Sequence, residues 1–152
     1  MPDCQRTRIV PSVVMTKTGP DRVFLPQQIC DQMLAYASST PDIEVCGLLG
    51  GNANRAFSVY PVKNIARDQS CRFLMDPEEQ IDAMRNMRER NEQLWGIYHS
   101  HPFSPPVPSD RDRESATYPD VFYFIISLTD KKPVTRCYYF DGMDFLEVSI
   151  NI

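Results

Sequence analysis

The sequence lacks the features that mark several common functional classes. No stretch approaches the roughly 20 apolar residues of a membrane span, and the amino terminus lacks the apolar core of a signal peptide, so we expect a cytoplasmic protein without a membrane partner. Acidic residues outnumber basic ones 20 to 16, which gives no reason to expect a nucleic-acid partner. The five cysteines are scattered without a CxxC pair and indicate reduced thiols, not a disulfide framework or a thiolate zinc site.

What the chain does contain is a regular succession of short strand-like and helix-like segments. Its 152 residues suffice for one domain with a substantial core. Helical spacing and helix-start residues predict three helices, over residues 27–37, 76–95 and 109–117. Strand-forming runs fill the intervals and give the order β-α-β-β-α-β-α-β-β-β. We therefore predict a single α/β domain over residues 21–152, a mixed β-sheet flanked by helices, with residues 1–20 as a lead-in or an edge strand.

The only two histidines lie two residues apart, in the segment YHSHPFSPPVPSDRD. Residues two apart on a strand point to the same side, so His99 and His101 can bind one metal ion. After the proline-rich loop, Asp112 shares a helix face with Ser109 and can supply a third ligand. Asp110 is the rival carboxylate, but it faces another side and is interpreted as a helix-start charge. Two imidazoles and one carboxylate leave one position of a tetrahedral zinc open, which is typical of a catalytic site.

A catalytic zinc site also needs a base that is not a ligand. Glu44 opens the apolar stretch EVCGLLGG, where burial raises the pKa of a carboxyl group towards neutrality. The alternative is that Glu44 begins a strand in solvent. Ser109 is the candidate for donating a hydroxyl proton to the oxyanion of the tetrahedral intermediate.

Three further features are assigned to structure rather than chemistry. Cys46 is interpreted as a small buried residue, because a cysteine nucleophile would need its own histidine and both are engaged. Gly50 and Gly51 indicate a tight turn and not a phosphate-binding loop. Ile81 and Met84 are expected along one side of the second helix, and a cluster is expected in the core: Met84, Met87 and Trp95.

The pattern Glu44…His99-x-His101-(seven residues)-Ser109-x-x-Asp112 resembles the JAMM (MPN-plus, Mov34) metalloprotease signature. EVCGLLGG, NIA at 64–66, RFLMDPEE, WGIYHSHP and YFIISL are similar to the small stand-alone bacterial members, from about residue 22 to the carboxyl terminus. The resemblance implies an MPN domain of cytidine-deaminase-like architecture with one zinc ion per chain. It also implies the site roles: zinc ligands His99, His101 and Asp112, general acid/base Glu44, and oxyanion donor Ser109.

The resemblance implies an activity as well. Such enzymes hydrolyse the bond after the carboxyl-terminal glycine of ubiquitin-like proteins, and the small bacterial ones process sulfur carriers with a Gly-Gly tail. Some remove a carboxyl-terminal extension and some release cysteine from a carrier–cysteine adduct. This chain lacks an obvious insertion of the kind that larger relatives use for Lys-linked ubiquitin chains, which favours a small carrier as the partner. The groove for the glycine tail is expected to be lined by Asn64, Arg72 and Phe73, and the protein is expected to be a monomer or homodimer.

Two other functions stay open at this point. The first is a non-catalytic MPN-type scaffold that binds a protein partner, although such relatives typically lack the zinc ligands. The second is a zinc hydrolase of small peptide or amide conjugates, which would cleave short substrates without a folded carrier. Zinc content separates the first from an enzyme, and short model substrates identify the second.

Overall fold

The structure, a computed structural model, describes residues 19–52 and 55–152. Its elements follow the predicted order: β1 (Arg22–Phe24), α1 (Gln27–Ser39), β2 (Cys46–Gly51), β3 (Ala56–Val62), α2 (Pro77–Glu89), β4 (Gln93–His101), α3 (Asp110–Ser115), β5 (Val121–Ser127), β6 (Val134–Phe140) and β7 (Phe145–Asn151). The predicted α/β fold is therefore confirmed. The expected lead-in or edge strand over residues 1–20 falls almost entirely outside the described ranges.

The strands form one mixed sheet in the order β1-β7-β6-β5-β4-β2-β3. The pairs β4–β5 and β1–β7 are parallel, and the other neighbours are antiparallel. A parallel pair of consecutive strands needs a long crossover connection. Residues 102–120 provide it, and this crossover contains the proline-rich loop and α3. The chain therefore returns across the sheet directly after the two histidines at the end of β4.

An apolar cluster covers each face of the sheet. On one face, α1 packs its buried residues Ile29, Met33 and Ala37 against the strands. On the other face, α2 packs through Ala83 and Met87. Consecutive strand residues alternate between the clusters, as expected for a pleated strand: Tyr98 lies on the α1 side and Ile97 on the α2 side.

The structure corrects two details around α2. Trp95 is buried but lies on the α1 side, so it does not join Met84 and Met87 in one cluster. The reason is a β-bulge, because the register between β2 and β4 shifts at this point and leaves Trp95 without a paired residue. The helix also ends at Glu89, before the predicted boundary, and Asn91 follows with a φ of 57°. Asparagine tolerates this left-handed conformation, which ends the helix. Ile81, which was expected on the same side of the helix as Met84, is 57% exposed.

Gly47 allows a close approach in the middle of the sheet. It pairs with Tyr98 of β4, and a Cβ at position 47 would clash with the Tyr98 hydroxyl oxygen. The tyrosine ring therefore occupies the space above the glycine. Its hydroxyl group is buried and has no hydrogen-bond partner within the described residues.

Two sequence expectations concern the state of the cysteines and the absence of a membrane span. Cys30, Cys46 and Cys137 are buried free thiols, as predicted. Cys71 is disulfide-bonded, so the prediction of reduced thiols is wrong for this residue. None of the helices in the described ranges is long and apolar enough to cross a membrane.

Candidate metal centre

The two imidazoles and the Asp112 carboxylate meet at one point. The Nε2 atoms of His99 and His101 are 3.0 Å apart, and each lies 3.1 Å from Asp112 Oδ2. All three side chains are buried. Two donors bound to one tetrahedral zinc at about 2.0–2.1 Å would be roughly 3.3–3.4 Å apart. The observed separations are within a few tenths of an ångström of that value.

The proton position on the His101 ring agrees with a cation site. His101 Nδ1 lies 2.8 Å from the Pro105 carbonyl oxygen, which only accepts hydrogen bonds, so Nδ1 carries the proton. In the neutral ring, Nε2 then presents a lone pair to the space shared with His99 and Asp112. Burial lowers the pKa of His99, which favours its neutral, ligating form. Three electron-pair donors facing one another are stabilised by a shared cation, so these residues fit a metal ion.

Asp112 is fixed by the cap of α3. The Ser109 hydroxyl accepts a hydrogen bond from the Asp112 backbone N–H at 3.1 Å, and Asp112 Oδ2 accepts one from the Ser109 backbone N–H at 2.9 Å. This reciprocal capping box follows from a serine at the cap and an acid three residues later. The pair therefore starts the helix and aims the carboxylate at the imidazoles.

The proline-rich loop is held down at three points. Besides the His101 ring bonded to Pro105, the Ser127 hydroxyl donates to the Ser104 carbonyl at 2.7 Å, and the Tyr138 hydroxyl donates to the Pro106 carbonyl at 2.7 Å. These donors come from β4, β5 and β6. Three neighbouring strands thus fix the loop that leads from the histidines to Ser109.

Glu44 stands beside the imidazoles without joining the hydrogen-bonded group. Its Oε1 atom is 3.7 Å from His101 Nε2, and Oε2 is buried without a partner in the part of the chain that the structure describes. Burial raises the pKa of Glu44 to about 8, although the nearby His101 acts in the opposite direction. Glu44 precedes β2 and is buried, so the solvent-exposed alternative does not hold.

The two carboxylates on either side of the imidazoles differ in environment. Either one can form a metal-binding group with the histidines, since donor atoms of Glu44, His99 and His101 all lie within 4.8 Å of one another. Asp112 is the nearer one to both rings. Burial alone would raise the pKa of Asp112, but the two imidazoles outweigh burial and hold it well below its ordinary range. Opposite pKa shifts of neighbouring acids are the usual basis for dividing ligand and acid/base roles.

The remaining predicted residues occupy different positions. The Phe73 ring stacks on the His99 ring, with centroids 4.5 Å apart and planes at 28°. The Asn64 side chain is used within the protein, because it donates to the carbonyls of Glu44 and Arg72 and accepts from two backbone N–H groups. The Arg72 guanidinium is partly exposed and lies 3.9 Å from Asp68. Of the three, only Phe73 reaches the centre with its side chain.

A cleft of about 190 Å³ opens beside the centre, and His99 and Asp112 are part of its lining. Its walls come from the loop before α2, the start of α2, β4, the segment after α3 and β5, and they include Phe73, Met75, Gln80, Ile97, Tyr118 and Tyr123. Gln80 Nε2 donates to the Tyr118 hydroxyl at 3.2 Å across one side. No sequence pattern pointed to Gln80 or Tyr118, which lie outside the motif and are brought together only by the fold.

Comparison with known proteins assigns the family. A family model described as prokaryotic homologs of the JAB domain matches residues 26–140. The chain belongs to this family. A desampylase of Haloferax volcanii is a JAB-domain relative 32% identical over 86% of this chain and 96% of its own length. A CysO-cysteine peptidase of Mycobacterium tuberculosis is 32% identical over 67% of this chain and 70% of its own.

A solved structure shares the fold of this chain. The solution structure of a protein from Desulfitobacterium hafniense superimposes with a TM-score of 0.76 and 34% identity, over 85% of this chain and 91% of that one. The resemblance to small JAB/MPN proteins, drawn from the motif, is confirmed. Membership of this JAB-domain family, whose named relatives include peptidases, makes the chain a hydrolase of the peptidase class.

Proposed function

We propose that this JAB-domain protein is a zinc-dependent peptidase that hydrolyses the bond after the carboxyl-terminal glycine of a ubiquitin-like sulfur-carrier protein. One observation carries the proposal: three buried donors converge next to a buried carboxylate that is left without a hydrogen bond. The relative named CysO-cysteine peptidase supports the substrate class, because its name describes a conjugate with cysteine.

His99, His101 and Asp112 would hold the zinc ion. Their donor atoms face one another at 3.0–3.1 Å, and imidazole nitrogen with carboxylate oxygen is a usual zinc donor set. When bound, the metal supplies a Lewis acid for the scissile carbonyl and lowers the pKa of water. The Ser109 cap and the Pro105 carbonyl hold Asp112 and His101 in the orientation that ligation requires.

Glu44 would move the proton. Its Oε2 atom is buried and without a partner among the residues described, so it can accept a proton from the attacking water and pass it to the leaving amine. With a pKa of about 8, the carboxyl group can be protonated or ionised near neutral pH, which a group that accepts and then donates a proton requires.

Ser109 would stabilise the developing oxyanion. Its hydroxyl oxygen already accepts the Asp112 backbone N–H, which leaves the hydroxyl proton to be donated. The residue is half-buried, and its partner Asp112 belongs to the group of donors at the centre. A donor in this position lowers the barrier when the carbonyl oxygen becomes negative.

The cleft would admit the glycine tail. Phe73 stacks on His99 and narrows the approach, which suits residues without side chains next to the scissile bond. Of the three residues predicted for the groove, Phe73 lines this cleft, and the Asn64 side chain holds the main chain on both sides of it through the Arg72 carbonyl and the Leu74 N–H.

The test uses ubiquitin-fold carriers of the source organism that end in Gly-Gly. Each is prepared with a single cysteine after the last glycine, and with a short peptide in its place, and incubated with the zinc-loaded protein. Mass spectrometry should show a carrier that ends at the glycine. A carrier with alanine as its last residue is the matched control and should react more slowly. Intact carriers after prolonged incubation would overturn the proposal, and equal cleavage of a free Gly-Gly-Cys peptide would favour a hydrolase of small conjugates.

A further inference from the structure

No hydrogen bond within the described residues holds the carboxylate of Glu44. The 3.7 Å between Glu44 Oε1 and His101 Nε2 exceeds hydrogen-bond distance, and Oε2 has no partner. The position of this side chain therefore depends on the backbone of Glu44. That backbone lies outside the regular ladder, because β2 begins two residues later, at Cys46.

The ladder between β2 and β4 changes at Ser100, the residue between the two histidines. Cys46 pairs with His99, and in the next pair the Ser100 N–H donates to the Val45 carbonyl at 3.0 Å, as in a normal strand. The return bond is different, since the Val45 N–H donates to the Ser100 hydroxyl oxygen at 2.9 Å. A side chain thus stands where an antiparallel ladder would place a backbone carbonyl.

The same hydroxyl reaches the other side of Glu44. Ser100 Oγ donates to the Ile43 carbonyl at 3.4 Å, so one side chain bonds both neighbours of the glutamate. Ser100 is fully buried. A hydroxyl is one of the few groups that accept and donate through a single atom, which this position requires.

Two more hydrogen bonds fix the peptide groups of Glu44 itself. Its N–H donates to the Gln69 carbonyl at 2.7 Å, and its carbonyl accepts from Asn64 Nδ2 at 2.9 Å. Asn64 also accepts from the Leu74 N–H at 3.0 Å, next to the Phe73 that stacks on His99. The Asn64 amide therefore holds both the backbone of Glu44 and the main chain next to Phe73.

We propose that Ser100, assisted by Asn64, is a positioning residue for Glu44. Ser100 lies on the strand that carries His99 and His101, so the element that presents the two imidazoles also sets the position of the carboxylate beside them. This inference rests on the proposed function, in which Glu44 moves the proton. It assigns Asn64 to the placement of the base rather than to contact with the substrate.

The test compares Ser100→Ala, which loses both hydrogen bonds, with Ser100→Thr, which keeps the hydroxyl. With the cysteine-extended carrier, Ser100→Ala should lower kcat by about tenfold to a hundredfold, because a displaced catalytic group costs rates of this order. The KM and the zinc content should stay unchanged, and Ser100→Thr should retain most of the rate. Ser58→Ala is the matched control, since Ser58 bonds Glu92 at 2.9 Å beside the opposite end of β4 and should turn over normally.

Glu44→Gln in the same assay separates the two proposals. Full turnover by Glu44→Gln would overturn the proposed function, whereas an inactive Glu44→Gln with a fully active Ser100→Ala would overturn the positioning role alone. Crystal structures give a readout that needs no substrate. The distance from Glu44 Oε1 to His101 Nε2 is 3.7 Å in the unsubstituted protein. It should differ from this value in Ser100→Ala and match it in Ser100→Thr. An unchanged distance in Ser100→Ala would overturn the positioning role.

Discussion

Ser109 and Asp112 hydrogen-bond to each other twice, each side chain accepting the backbone N–H of the other, at 3.1 and 2.9 Å. The same oxygen of Asp112 faces both imidazoles at 3.1 Å. The cap of α3 and the metal centre therefore share one atom. A substitution in this pair acts on the stability of the fold and on the chemistry together, and the two effects have to be measured separately.

Replacing Ser109 tests whether it acts on both stability and catalysis. Ser109→Ala removes the cap, which should cost about 1 kcal/mol of unfolding free energy and lower the Tm by roughly 2–4 °C. It also removes the proposed oxyanion donor and should lower kcat by about 10²–10³-fold. Calorimetry and steady-state kinetics measure the two effects. Ser109→Thr should preserve both, and a destabilised Ser109→Ala that keeps its turnover would show that Ser109 is only a cap.

Metal removal should destabilise the protein. A ligand that binds only the folded state raises the Tm, so chelation should lower it by several degrees and one equivalent of zinc per chain should restore it. Differential scanning fluorimetry with metal analysis measures both. His99→Ala removes one of three ligands and should respond to neither treatment. A wild-type Tm that ignores the chelator would contradict a bound ion in this centre.

The two carboxylates should differ in their effect on metal binding. Asp112→Asn replaces the carboxylate nearer to both imidazoles with a neutral amide, a much weaker zinc ligand, and should lose most of the bound zinc. Glu44→Gln should keep stoichiometric zinc and lose hydrolysis, because an amide does not accept the proton. Equilibrium dialysis gives the metal content of the two variants. The reverse result would exchange the roles of Asp112 and Glu44.

The hydroxyl groups of two buried tyrosines should contribute oppositely to stability. Tyr98 carries an unpartnered hydroxyl over Gly47, so Tyr98→Phe should leave the unfolding free energy unchanged or raise it by about 1 kcal/mol. Tyr138 donates to the Pro106 carbonyl at 2.7 Å, and Tyr138→Phe should lower it by about 1 kcal/mol. Urea unfolding measures both. Equal losses in the two variants would show that the Tyr98 hydroxyl has a partner.

The sequence was most informative where the signal is local. His99, His101, Ser109 and Asp112 lie within fourteen residues, so strand periodicity and helix capping suffice to predict that they meet. The order of strands and helices was also predictable, because apolar patterns and turn residues mark each element. The apolar stretch that Glu44 opens predicted its burial, but no local pattern places it beside the histidines, and this part of the prediction rested on the family resemblance.

Other parts of the structure depend on contacts that sequence patterns do not encode. A bulge of one residue moved Trp95 to the opposite face, and Ile81 lies on a part of α2 that no other element covers, so it is exposed. The polar contacts of Ser100 and Asn64 join segments that are distant in the chain. The serine stands in the centre of the motif, yet its partners can be seen only in three dimensions.

The parallel pairing of β4 with β5 has a consequence for the order of events during folding. A hairpin cannot join such strands, so the crossover is placed over the histidines only when β5 has docked against β4. The Glu44 segment reaches the histidines through a different contact, the pairing of β2 with β4. Both carboxylates thus reach the imidazoles only through the pairing of strands that are distant in the chain, and contacts of this kind are slow to form.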